Sequence, residues 1–212
     1  MEDILEEPPE TILEKDMFFT ILTKPTKTFT YIFNYCPTKY VNAIINRYGV
    51  ANALILNLLF LLNHTHFSII WICIIALFGW LLAWLGVYIS SSLMSWSGRW
   101  IGGHADMDEF ITVSAWSYIP SIASVFPLAI QTIIFDKDSI NMMEGQNVFM
   151  IFLYYLLLTA RFVLTIWSLV IFVKGTAVLQ EFNYRKAILN VILAALIILV
   201  PIIIIGGLMY LL

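Results

Sequence analysis

"FSIIWICIIALFGWLLAWLGVYISSSLMSW", residues 67–96, runs for 30 residues without one Asp, Glu, Lys or Arg. As a helix that is about 45 Å, and about 20 apolar residues already cross a bilayer. The rest of the chain is of the same kind. It is 61% hydrophobic, only 12% charged, and its mean hydropathy is +0.89. A soluble domain carries about one quarter charged residues. The strands of a membrane β-barrel alternate apolar and polar over about 10 residues, whereas these runs are continuous. The fold class is therefore all-α: a polytopic integral membrane helical bundle.

Five transmembrane helices are expected, at about 42–62, 67–96, 109–135, 148–173 and 187–212. The second exceeds the bilayer and must tilt or project, through its "SSSLMSWSG" end. No internal repeat is visible. Residues 1–16 are read as an acidic flexible cytoplasmic tail, and 17–212 as a membrane domain whose first part, 17–41, forms N-terminal interfacial helices.

Sidedness follows from Lys and Arg. Lys15, Lys24, Lys27, Lys39 and Arg47 precede or open the first span, Arg99 follows the second, and Lys174, Arg185 and Lys186 lie between the fourth and fifth. Of the basic residues between spans, only Lys137 lies on the opposite side, and Arg161 is inside a span. The expected arrangement is N-terminus cytoplasmic and C-terminus outside.

"MEDILEEPPETILEKD" holds seven acids and one Lys, the reverse of a signal peptide. From Met17 to Tyr48 no acid occurs. "MFFTILTKPTKTFTYIFNYCP" reads as one or two short amphipathic helices lying in the interface and divided at Pro25. They serve either as a pre-membrane anchor or as a partner-docking or lipid-sensing surface. Cys36 and Cys73 fall in different compartments and are expected to be free thiols.

The stretch "GRWIGGHADMDEF", residues 98–110, joins the second and third spans. One reading is a metal site from His104, Asp106, Asp108 and Glu109. Zinc favours several His or Cys ligands, and one His without a second cluster falls short. The turn reading covers more residues. Gly102 and Gly103 end the second helix. Asp106 caps the third, with Glu109 at capping-box spacing and Asp108 at the positive end of the dipole. No metal and no cofactor is expected.

Arg161 lies deep in the fourth span, where a charge costs at least about 2.5 kcal/mol and marks candidate function. Tyr154, Arg161, Thr165 and Ser168 fall on one helical face. Asn46, Gly49, Ala53 and Asn57 make a second such face in the first span, where Gly49 and Ala53 permit close helix approach. Pro120, Pro127 and Pro201 free carbonyls within spans. No acid deep in any span pairs Arg161. It is either a charge in a polar seam or an anion, lipid-headgroup or transport site, with Tyr154, Thr165, Ser168 and Asn57 as fellow candidates.

"RWIGGHADMDEFITVSAWSYIPSI" resembles the central motif of the YIP (Ypt/Rab-interacting protein) domain family, through Gly102, Gly103, Phe110 and Pro120. "FFTILTKPTKTFTYIF", with Pro25 and Phe29, and "WSLVIFVKGTAVLQEFNYRKAIL", with Trp167, Gly175 and the 185–187 "RKA", resemble two further family segments in the same order. The resemblance covers about 17–212. It implies five spans, a cytoplasmic N-terminus and an external or lumenal C-terminus. Eukaryotic members act in early secretory traffic and contact Rab-type GTPases. This chain has a short tail before the first span and is more similar to bacterial members, so Rab binding is not carried over and the bacterial inner membrane is the expected location.

No catalytic motif is present, and an enzyme is not expected. Two functions stand. One is a non-enzymatic membrane protein that organises partners or lipids. The other is a transporter, channel or lipid-moving protein with its polar site around Arg161. The expected partners are the bilayer, anionic lipid, other membrane proteins or a second copy, and no nucleic acid.

Overall fold

A computed structural model of the chain describes residues 16–63, 68–135 and 148–211. The acidic tail apart from Asp16, and the two connections carrying His64, His66 and Lys137, lie outside the described residues. Among those described, every regular element is a helix.

The first two, α1 (Met17–Thr23) and α2 (Pro25–Tyr35), meet at a corner. Its cause is local: a residue before proline is pushed out of the α region, and Lys24 sits at φ −131°, ψ 57° while Pro25 starts α2. Then come α3 (Val41–Asn63) and α4 (Ile69–Trp100). The third crossing is built from three pieces, α5 (Met107–Ser117), α6 (Ile119–Ala123) and α7 (Val125–Ile134). The last two are α8 (Val148–Leu179) and α9 (Tyr184–Leu211). Five segments are long and apolar enough to cross a membrane: Val41–Phe60, Ile69–Trp100, Met107–Ile134, Val148–Leu179 and Tyr184–Ile204.

The third crossing breaks because Pro120 and Pro127 each lack an N–H and free a carbonyl one turn earlier. Hydroxyls bond back to their own helices beside both breaks: Ser117 Oγ donates to Ser114 O (2.8 Å) and Ser124 Oγ to Ser121 O (2.6 Å). At the first break Tyr118 stacks flat on Tyr48 of α3, with centroids 4.0 Å apart.

The helices α3 and α4 approach closely where side chains are missing. A Cβ on Gly49 would stand 2.6 Å from the Trp80 ring, and one on Gly79 would stand 2.9 Å from the Ala53 backbone. Asn52 Nδ2 donates to Gly79 O across the same contact (2.8 Å).

The start of α3, the end of α4, the start of α5, the end of α8 and the start of α9 share one end of the bundle, and α1 and α2 pack there. We call it the capped end. Its core joins Met17, Ile21, Phe29 and Ile32 to Ile44, Ile45, Trp116 and Ile171. The buried apolar side chains of α1 and α2 thus pack on protein, while Phe19 and Tyr35 stay exposed. Toward the other end large apolar side chains face outward, as on α4 (Ile69, Leu77, Phe78, Leu85) and α8 (Phe149, Phe152, Phe162).

Two helices also continue past the ends of the expected spans. The fourth was expected to end at 173, before Lys174 and Gly175, but α8 continues to Leu179. Gly175 is no helix stop: the Phe29 ring and Val113 occupy the space its side chain would fill, 2.7 Å from a built Cβ. The second continues to Trp100.

Candidate functional site

The turn between α4 and α5 is fixed from both sides. Gly102 takes φ +89°, the left-handed region that favours glycine. Gly103 N–H then donates back to Gly98 O (2.9 Å), which satisfies a carbonyl at the helix end. Asp106 begins α5 in a capping box, its N–H donating to Glu109 Oε2 (2.9 Å). Arg99 reaches Asp106 Oδ1 at 3.3 Å, with both side chains mostly in solvent. A pair of that kind is worth less than about 1 kcal/mol. His104 is exposed, and among the described residues no three of His, Cys, Asp and Glu come together as a metal site would need.

What holds this turn to the bundle is Gln180, just past the end of α8. Its Oε1 accepts the backbone N–H groups of His104 (2.8 Å) and Ala105 (3.1 Å). Its side chain is 2% exposed. A Cβ on Gly98 or Gly103 would collide with the Gln180 amide and displace it from this position. One turn into the bundle, Ser97 Oγ donates to Asn190 Oδ1 (2.7 Å), tying α4 to α9. Ser95 Oγ donates to Ala105 O (2.9 Å). Gln180, Asn190, Ser97 and Gly98 escaped the sequence reading. Asn190, a polar residue inside the apolar run "ILNVILAALIILV", was the available signal.

The end of α8 repeats the device that ends α4. Glu181 takes φ +53°, and Phe182 N–H donates back to Ala177 O (2.9 Å). Asn183 Oδ1 then caps α9 through the Lys186 N–H (2.9 Å). Beside these turns opens a groove of about 610 Å³, lined among others by Thr30, Asn34, Asp108, Glu109, Thr112 and Glu181. Thr112 Oγ1 donates to Pro37 O (2.9 Å) and anchors the segment between α2 and α3 to its floor.

The stripe around Arg161 is not gathered into one site. Ser121 Oγ and Ser168 Oγ share a hydrogen bond (2.8 Å), and Phe135 meets Tyr154 edge to face (5.4 Å). Equal spacing on both sides puts α6–α7 and α8 antiparallel and in register. Arg161 lies midway between Tyr154 and Ser168, and Leu128 midway between Ser121 and Phe135. Arg161 is half-buried at that level and no acid among the described residues pairs with it. Thr165 faces outward and bonds its own helix at Arg161 O (3.0 Å). Asn57 bonds its own helix at Ala53 O (2.9 Å). Gln131, one turn from Leu128, is buried with its Oε1 unpartnered. It too was overlooked.

No curated protein and no solved structure matches the chain. The family model for the Yip1 domain matches residues 19–205. That segment opens inside α1 and closes inside α9, so it takes in the α1–α2 corner, all five membrane-crossing segments and both turns of the capped end. The chain is accordingly an integral membrane protein that belongs to the Yip1 domain family.

Proposed function

We propose that this protein is a non-enzymatic membrane organiser whose working end is the capped end, lying on the cytoplasmic side of a bacterial inner membrane with the C-terminus outside. The single observation that carries this reading is where the polar construction sits. Buried amides, glycine turns and an open groove converge at the capped end, around Gln180, Asn190 and Gly103. The stripe of Tyr154, Arg161, Thr165 and Ser168, with Asn57, is dispersed by comparison, which argues against an enclosed transport site. The lopsided distribution of Lys and Arg supports the orientation. The groove then faces membrane-protein partners or a second copy.

Two measurements test it. Reporter fusions at Gly103 and Phe182 should lie inside, and at Gln146 and Leu212 outside. Photo-crosslinkers at Asn34 and Thr38 should trap protein partners that crosslinkers at Leu158 and Phe162 do not. A specific solute flux in reconstituted vesicles, abolished by Arg161→Met, would overturn the organiser reading in favour of transport.

A further inference from the structure

We infer that the corner between α1 and α2 is a docking surface for the headgroups of anionic phospholipids, built from Lys24, Lys27 and Lys174 around Trp167.

The position of the bilayer edge comes from α8. Outward-facing side chains on this helix are exposed from Val148 as far as Leu169, and none from 170 to 180 is exposed. The exposed part is about 33 Å long, close to the hydrocarbon thickness of about 30 Å. The edge therefore falls near Trp167, the kind of residue that settles at a membrane–water interface. Trp167 Nε1 donates to Leu22 O (3.0 Å), the last turn of α1. The corner is thus pinned at the level of the headgroups.

That corner is basic. Lys24 and Lys27 are exposed beside it, with Thr23 and Thr26. Lys174 lies seven residues past Trp167, two turns along the same face of α8. Among the described residues the acids are elsewhere. Asp16 stands at the far end of α1. Asp108, Glu109 and Glu181 line the groove, and Glu181 is about 20 Å along the helix axis from Trp167. Among the described residues no acid stands beside Lys24 and Lys27 at the corner.

The occupant is a lipid because of what accompanies the lysines. Phe19, one turn before Thr23 on α1, is 75% exposed. A ring in that place enters the acyl region while the ammonium groups meet phosphate, the division of labour of an interfacial helix. Lysine binds phosphate as a point charge. The inference rests on the organiser reading only in placing the corner at a bilayer surface, and it holds for either orientation of the chain.

The test is native mass spectrometry of the protein in mild detergent, mixed with equal amounts of phosphatidylglycerol and phosphatidylcholine. The native protein should retain the anionic lipid in preference. Lys24→Gln with Lys27→Gln should weaken that retention about 25-fold, about fivefold for each lysine, and leave phosphatidylcholine unchanged. Lys24→Arg with Lys27→Arg should retain it, and Phe19→Ser should weaken it with the charge intact. Equal retention of both lipids by the native protein, or unchanged retention in the glutamine pair, would overturn the inference. So would complete displacement of the lipid by inorganic phosphate, which would assign the lysines to a soluble anion. Should the glutamine pair not fold, Lys27→Gln alone decides by the same criterion. None of these outcomes bears on the reporter fusions or crosslinks, so the two readings fail separately.

Discussion

Replacing Gln180 with Met keeps the length of the side chain and removes its hydrogen bonds. Ala105 is buried, so its N–H is left without a partner, at a cost of about 1–3 kcal/mol. His104 is exposed, so water replaces its lost partner and only the net value of one bond, about 1 kcal/mol, is forfeited. The amide Nε2 of Gln180 has no partner in the native protein, and its removal returns part of the loss. The net destabilisation is about 2 kcal/mol. For a chain of this size that lowers the unfolding temperature by about 4–8 °C. Unfolding followed by the fluorescence of the seven tryptophans, in one detergent, measures it. Gln180→Glu sharpens the test. A protonated carboxyl keeps an acceptor for both N–H groups, and burial raises its pKa above the ordinary value of about 4.3. Between the unfolded and folded values the native state holds the extra proton. Stability should therefore be near native at low pH and fall as pH rises above about 4.3, by up to about 1.4 kcal/mol per pH unit. A Gln180→Met protein that melts with the native one, or a Gln180→Glu protein indifferent to pH, would refute the idea that this amide holds the turn.

Glu181→Gly should stabilise by about 1 kcal/mol, since only glycine takes a left-handed conformation without steric cost; Gly102→Ala should destabilise by a similar amount, and both are read in the same melting assay. Gly175→Leu should lower the melting temperature more than either, because its side chain would enter the space held by Phe29 and Val113; a normal melt would show that α2 does not pack there. Arg161→Met should melt at or above the native temperature, because it removes the desolvation cost of an unpaired charge; a marked loss of stability would reveal a native partner.

The five crossings were legible because continuous apolar runs leave no other architecture in a bilayer. The turn after α4 was legible because its residues are the ones the geometry asks for: glycine at the left-handed position, Asp and Glu at capping spacing. The matching turn after α8 was not, because Glu181 fills the place where glycine would have announced it. Long-range partners were hidden for a related reason. Nothing in the local sequence tells that Gln180 meets His104 and Ala105, 76 and 75 residues away, or that Trp167 meets Leu22, 145 residues away. The polar stripe of Arg161 is a periodicity, and periodicity does not say which side of the stripe is enclosed: Thr165 faces outward.

The α1–α2 corner also sets an order of events during synthesis. It is made first, but the surfaces that bury Met17, Ile21, Phe29 and Ile32 belong to α3, α5 and α8, which leave the ribosome later. Until α8 is in place with Ile171 and Gly175, the apolar side of the corner has no complete protein partner. In that interval the membrane surface is the only apolar phase within reach. The corner therefore waits on lipid until the fourth crossing arrives and offers its apolar side a protein surface.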